Sequence, residues 1–258
     1  MLVVRRAELG LRSAGMKLAI YGDSFGDIKK YEKFFSPSHG LEEHVSYSWP
    51  ALLANKYKVD NFSKTTSGLE WSYNLAITNE TTYDRIIFLA SHINRLMINS
   101  MWSKEAGQEH INQGAYGNGN KFFTKKILPA AQQYNVYFQN DNFLHNRINL
   151  MYNDLQRRFG DKLLLLKIFE DGKSNEYKHS NNLLLVELQK QEIVQHYGQC
   201  NMAEMLKHGD HRTCHITNPH HQMMFNKLDN WIQTKEFSLT QTDVITINKQ
   251  ELAKYFND

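Results

Sequence analysis

The chain has 258 residues, of which 41% are hydrophobic and 22% are charged. This composition is close to the globular average and allows one large packed domain. The 30 basic and 27 acidic residues leave a net charge of +3 and form no basic stripe of the kind that nucleic-acid-binding proteins carry. No apolar run approaches the roughly 20 residues of a membrane span, and two cysteines are too few for a disulfide framework. We therefore expect a cytoplasmic protein without a nucleic-acid or membrane partner.

The two ends of the chain differ from its middle. Residues 1–15 contain three arginines and no continuous apolar stretch, so they are not a secretory signal. We interpret them as a leader or upstream extension that is disordered. Residues 16–237 are predicted to form the main domain, and residues 238–258 a C-terminal appendage with a short VITI strand and a short helix.

Within the main domain, short apolar runs alternate with helical patterns. Apolar runs bounded by turn residues are typical of parallel strands that are buried on both faces. The predicted order is strand 17–21, helix 48–57, strand 58–62, helix 69–78, strand 85–90, helix 121–134, helix 143–159 and strand 163–169. Strands that alternate with helices predict an α/β fold, with a central and mostly parallel sheet between two helical layers.

Two segments fit this alternation less simply. Residues 182–197 suit either a fifth strand or a helix. Residues 105–120 contain four glycines and predict a long loop. Such a loop is either a lid or binding loop, or a simple surface excursion.

The first predicted strand ends at Gly22-Asp23-Ser24. In an open parallel sheet, ligands bind beyond the carboxyl ends of the strands, so Ser24 would project its hydroxyl into that crevice. Ser24 would also lie near a helix N-terminus, where backbone N–H groups favour a developing anion. Ser24 is therefore a candidate nucleophile. The alternative is a structural turn, in which Asp23 and Asp27 act as turn or cap residues.

A serine hydroxyl needs a base to be nucleophilic at neutral pH, and His215 is the best candidate. It lies just before a predicted helix that is capped by Thr217 or Asn218 and has Pro219 in its first turn. Asp210, five residues earlier, could accept the Nδ1 proton of His215 and fix its tautomer.

The same segment has a rival interpretation, because five of the twelve histidines lie within fourteen residues. Such density can bind zinc, although no spacing matches a closed zinc site. A solvated histidine cluster is the remaining alternative. The residues concerned are His208, His211, Cys214, His215, His220 and His221.

Four segments of the chain, in order, resemble the signatures of the SGNH/GDSL hydrolases. The first is Ile20-Tyr21-Gly22-Asp23-Ser24, a strand followed by Gly-Asp-Ser, and the second is 61–72, where Gly68 stands for the glycine of the family. The resemblance extends from residue 17 to about residue 235, which is nearly the whole main domain.

The third and fourth signatures depart from the pattern of the family. Gly-x-Asn-Asp is replaced by Ser-His-Ile-Asn-Arg at 91–95, so Asn94 stands for the asparagine while the glycine and the aspartate are absent. The histidine of Asp-x-x-His matches His215, but Arg212 occupies the position of the aspartate. Asp210 would replace it, or the site would work as a Ser-His dyad.

The resemblance implies a flavodoxin-like three-layer sandwich with strand order 2-1-3-4-5, and an esterase that needs no metal or other cofactor. Ser24 would attack a carboxylic ester with His215 as its base. The backbone N–H groups of Ser24 and Gly68, with the Asn94 side chain, would form the oxyanion hole. The aromatic and amide-rich segment 102–123 would suit an O-acyl group on a carbohydrate or a small polar molecule.

Other classes remain open besides the histidine-cluster metal-binding protein. One is a binding module of the same fold that has lost catalysis, which the altered third signature would allow. The other is a phosphate or nucleotide binder that uses 22–26 as an anion loop, although the glycine-rich fingerprints for phosphate are missing.

Overall fold

In the residues that the structure describes, four parallel strands form the central sheet. They are β1 (Lys17–Tyr21), β2 (Lys58–Asn61), β3 (Arg85–Ala90) and β6 (Leu163–Lys167), and their order in the sheet is β2-β1-β3-β6. The computed structural model describes residues 15–27, 48–64, 67–79, 83–91, 95–97, 110–112, 125, 128–130, 133, 141–168, 183–188, 190–191, 216 and 218–244. All four predicted strands of the main domain are confirmed, and the parallel directions confirm the α/β class.

Four helices whose bounds lie within the described ranges accompany the sheet. They are α1 (Trp49–Lys56), α2 (Leu69–Thr78), α3 (Asp141–Phe159) and α4 (Asn218–Thr234). Each confirms a sequence prediction, and α4 begins where Pro219 can occupy its first turn. The predicted helix 121–134 lies mostly outside the described residues. Residues 185–188 are helical, so the helical alternative holds there and the strand does not.

A separate two-stranded antiparallel ladder joins β4 (Arg95–Met97) to β5 (His110–Asn112). The prediction of a continuous loop over 105–120 is therefore wrong at its centre. The reason is the spacing of the turn residues: Gly107 and Gly114 lie on either side of β5, and they leave room for a strand of three residues.

The side chains of the sheet enter two buried clusters, because successive residues of a strand point to opposite faces. Helices α1 and α4 contribute to the first cluster, and helices α2 and α3 to the second. The strand members of the first cluster are Leu18, Ile20, Ile87, Leu89, Leu164 and Leu166, and those of the second are Ala19, Tyr21, Ile86, Phe88, Ala90, Leu163 and Leu165.

Helices α1 and α4 run parallel to each other. At their N-termini, the Trp49 N–H donates to His221 Nδ1 at 3.3 Å, and near their C-termini the Tyr57 hydroxyl donates to Asp229 at 2.5 Å. Helix α1 leads directly into β2, so its C-terminus lies at the amino edge of the sheet. The N-termini of α1 and α4 therefore both lie at the carboxyl edge.

Residues 237–244 pack against the first cluster. Leu239 is buried there, its carbonyl accepts the Leu183 N–H at 3.0 Å, and Lys227 pairs with Asp243 at 2.7 Å. Val244 is not in a strand, and the rest of the predicted VITI strand lies outside the described residues. The predicted domain boundaries stay predictions. Within the described ranges, no helix has the length and apolar character that crossing a membrane requires.

Candidate active site

The turn that follows β1 is built around Asp23. Its Oδ1 accepts the Phe25 N–H at 3.1 Å, and its carbonyl accepts the Gly26 N–H at 3.0 Å. A side chain that accepts a backbone N–H two residues later is the usual way in which aspartate closes a turn. Asp23 is fully buried, so this turn is a fixed part of the structure. Ser24 lies inside it and directly beyond the carboxyl end of β1.

Two glycines allow this turn to lie close to strand β3. A Cβ atom added at Gly22, where φ is +157°, would overlap the Cβ of Leu89. A Cβ atom added at Gly26 would overlap both Leu89 Cδ1 and Ser63 Oγ. Any larger residue at either position would therefore displace the turn that carries Ser24.

The segment that follows β2 is hydrogen-bonded to the same turn. The Asn61 amide donates to the Gly26 carbonyl at 2.7 Å. The Gly22 carbonyl accepts two hydrogen bonds from this segment, one from the Lys64 N–H at 2.9 Å and one from the Ser67 hydroxyl at 2.8 Å. Gly68, the next residue, is the N-cap of helix α2. The Ser24 turn and the start of α2 are therefore held side by side.

Polar groups at this edge are available for a ligand. In the part of the chain that the structure describes, neither the Ser24 hydroxyl nor the N–H groups of Ser24 and Gly68 have a hydrogen-bond partner. Ser24 is nearly buried. Unpaired N–H groups at the start of a helix favour negative charge, because the helix dipole adds to them. This combination can hold an anion next to a hydroxyl group.

The remaining predicted site residues lie outside the described residues, namely His215, Asp210 and Asn94. The nearest described neighbour of His215 is Ile216, which is buried in the first cluster together with Phe25. Since α4 begins at the carboxyl edge, Ile216 precedes a helix that starts at the same edge of the sheet as the Ser24 turn.

Two members of the histidine cluster have buried positions in helix α4. His220 is fully buried, and His221 is almost so. His221 Nδ1 caps helix α1 by accepting the Trp49 N–H, and no pattern in the sequence indicates this contact. The described residues contain no group of three or more histidine, cysteine or acidic side chains that could hold a metal ion. The other members, His208, His211, Cys214 and His215, fall outside those residues.

Several buried polar groups are not marked by any sequence pattern. The hydroxyls of Ser63, Ser72 and Ser91 are buried without a partner among the residues described. A hydroxyl in this state has lost its bonds to water, at a cost of about 1–3 kcal/mol. Lys167, the last residue of β6, is also buried. The only sequence signal for Ser91 and Lys167 is their place at the carboxyl ends of strands.

Models of known protein families and curated proteins were compared with this chain, and neither comparison gives a match.

Proposed function

We propose that this protein is a serine esterase of the SGNH/GDSL type that cleaves a carboxylic ester through Ser24. One observation carries the proposal: the hydroxyl and the N–H of Ser24 are unpaired among the described residues, in a turn that the Ser67 hydroxyl joins to the start of helix α2. A nucleophile beside two anion-stabilising donors is the arrangement that acyl transfer requires.

The fold supports the same assignment. The sheet order β2-β1-β3-β6 corresponds to the first four strands of the 2-1-3-4-5 order that the resemblance implies. The two buried clusters, with two helices each, fit a flavodoxin-like three-layer sandwich. In such sheets the crevice beyond the carboxyl ends of the strands is the usual place for a ligand, and Ser24 lies at that edge.

In the proposed reaction, His215 removes the Ser24 hydroxyl proton as the oxygen forms a bond to the ester carbonyl carbon. The carbonyl electrons move to its oxygen, where the N–H groups of Ser24 and Gly68 and the Asn94 side chain stabilise the charge. When the carbonyl re-forms, the ester C–O bond breaks and the alcohol leaves with the proton from His215. Water then repeats these steps on the acyl-enzyme and releases the acid. Asp210 orients His215, or the pair acts as a dyad.

The same turn is less suited to a phosphate or nucleotide. A phosphate loop offers several free backbone N–H groups. Here the N–H groups of Phe25 and Gly26 both bond to Asp23, whose buried carboxyl group would repel a phosphate. A neutral ester that becomes charged only during the reaction fits this turn better.

The test uses a fluorophosphonate probe and a p-nitrophenyl ester of a short acid. The probe should react with one residue, Ser24, as mapped by mass spectrometry of the digested protein. Ser24→Ala should abolish labelling and lower hydrolysis by at least about a thousandfold, because it removes the nucleophile. Ser238→Ala is the matched control, since Ser238 is exposed and distant in sequence from the turn. Ester hydrolysis that survives Ser24→Ala would exclude the mechanism, and an unlabelled wild-type protein would leave the binding-module alternative.

A further inference from the structure

A second serine, Ser91, directly follows strand β3, the strand that neighbours β1 in the sheet. Tyr21 pairs with Phe88 in the register of β1 and β3, and Ser24 and Ser91 each follow three residues later. The Ser24 turn packs directly on Leu89, two residues before Ser91, because Gly22 and Gly26 leave no space there. Strand β1 ends at Tyr21 and strand β3 at Ala90, so Ser24 and Ser91 both lie beyond the carboxyl ends of neighbouring strands.

Ser91 differs from an ordinary surface serine in two ways. Its side chain is 2% exposed, and its hydroxyl has no hydrogen-bond partner within the described part of the chain. Because residues of a strand alternate between faces, Ile87 and Leu89, the alternate residues that precede Ser91, point to the side of the first cluster. That cluster also contains Phe25, the residue after Ser24.

A buried donor without a partner needs an explanation, since nearly all buried hydroxyls in proteins are paired. One explanation is that its partner exists only during a reaction. Such a donor has no hydrogen bond to water that must break when charge develops beside it. It therefore interacts with a charged transition state more strongly than with a neutral substrate. Its position at the carboxyl edge, beside the Ser24 turn, is where such charge would form.

We propose that the Ser91 hydroxyl is a donor to the oxyanion, beside the N–H groups of Ser24 and Gly68. This inference rests on the proposed esterase activity of Ser24. Ser91 donates a hydrogen bond to the oxygen that was the ester carbonyl and keeps its proton throughout. The charge arrives on that oxygen when Ser24 attacks and leaves it when the carbonyl re-forms, so Ser91 needs no base of its own.

The chain contains a matched control for this inference. Ser72 is fully buried on helix α2, and its hydroxyl also has no partner among the described residues. It faces the second cluster, on the other side of the sheet, between Leu69 and Ala76. Replacing either serine by alanine removes an unpaired buried hydroxyl, which is expected to leave the melting temperature unchanged or slightly higher.

The experiment measures steady-state hydrolysis and the rate of fluorophosphonate labelling for wild type, Ser91→Ala and Ser72→Ala. Loss of one oxyanion donor lowers kcat by about a hundredfold. We expect that loss, with KM nearly unchanged, and a similar drop in labelling rate for Ser91→Ala. Ser72→Ala should behave as wild type. If Ser91→Ala does not fold, Ser91→Cys replaces it, because a thiol has a similar shape but is a weak donor.

The outcomes separate this inference from the proposed function. Activity that depends on Ser24 but is the same in Ser91→Ala (or Ser91→Cys) and in wild type would overturn the role of Ser91 and leave the esterase intact. Equal losses in the Ser91 and Ser72 variants would also overturn it, since they would reflect a general effect of the substitution. A wild-type protein that neither hydrolyses esters nor reacts with the probe would overturn both.

Discussion

At the amino side of the sheet, the side chains of Lys17 on β1 and Asp60 on β2 are joined to each other. Asp60 accepts the Tyr83 hydroxyl at 2.8 Å and pairs with Lys17 at 3.0 Å, and the Lys17 ammonium also lies 4.5 Å from the centre of the Tyr83 ring. At the carboxyl side of the same strands, the hydroxyls of Ser24 and Ser63 have no partner among the described residues. Polar groups that are fully paired stabilise a fold, whereas unpaired ones cost stability and are expected where a ligand supplies the partner.

This contrast predicts that the same kind of change will have different effects at the two sides. Gly22→Ala introduces a methyl group against Leu89 at the carboxyl side. We expect a loss of about 3 kcal/mol in the free energy of unfolding, from the overlap, and a drop in ester hydrolysis of about a hundredfold, because the Ser24 turn moves. Urea denaturation and steady-state kinetics would measure the two effects.

The matched control for that prediction is Gly160→Ala at the amino side. Gly160 follows helix α3, has φ of +51°, and has nothing within 4 Å of an added Cβ atom. The change should cost about 1 kcal/mol, the strain of a left-handed alanine, and leave hydrolysis unaffected. A Gly160 variant with impaired hydrolysis would contradict the division between the two sides.

A smaller effect, on stability alone, is expected from Tyr83→Phe. It removes the hydrogen bond to Asp60 and should lower the free energy of unfolding by about 1 kcal/mol at pH 7, with unchanged hydrolysis. Burial, with the hydrogen bond to Asp60, raises the pKa of Tyr83 to about 12, whereas an unfolded tyrosine has a pKa of about 10. Folding therefore favours the protonated hydroxyl. The contribution of this hydroxyl to the free energy of unfolding is present below pH 10 and is lost as the pH rises through about 12.

The stability difference between wild type and Tyr83→Phe should accordingly shrink above pH 10. It should shrink in acid as well, because the Tyr83 hydrogen bond lowers the pKa of Asp60, and this contribution is lost as the pH falls below the ordinary carboxyl range. Urea denaturation across pH 3 to 11 would measure the decrease of this stability difference in acid and in base. A difference that is constant with pH would show that the Tyr83–Asp60 bond contributes nothing to stability.

The smallest expected effect is an increase in the free energy of unfolding. Lys235 follows helix α4 with φ of +64°, and its N–H donates to the Trp231 carbonyl at 2.7 Å. Glycine adopts this conformation without strain, so Lys235→Gly should raise the free energy of unfolding by about 0.5–1 kcal/mol. The ion pair between Lys235 and Asp161, at 3.5 Å, is exposed and its loss should matter little. Thermal denaturation would detect the change, and hydrolysis should not respond.

The strands and helices of this protein could be predicted because each is encoded locally. The run Arg85–Ala90 is apolar and bounded by polar residues, and Pro50 and Pro219 mark the starts of α1 and α4. Strand β5 could not be predicted in this way, since three residues between glycines carry too little pattern.

The contacts between segments that are distant in the chain could not be predicted from the sequence. The bond from Ser67 to the Gly22 carbonyl joins positions 45 residues apart, and the cap that His221 provides for Trp49 joins positions 172 residues apart. No local pattern marks such partners. The candidate nucleophile could be predicted because it directly follows a recognisable strand, whereas the groups that surround it depend on the tertiary packing.

The pairing of α1 with α4 also bears on how the chain folds. The hydrogen bonds from Trp49 to His221 and from Tyr57 to Asp229 each span 172 residues. Helix α4 supplies four side chains to the first cluster, those of Met224, Leu228, Trp231 and Ile232. At a synthesis rate of about 5–20 residues per second, α1 emerges from the ribosome roughly 10–30 seconds before its partner helix. During that interval one face of β1, β2 and β3 has no α4 to cover it. The first cluster can therefore close only after α4 has been synthesised, and until then its apolar side chains are exposed to aggregation.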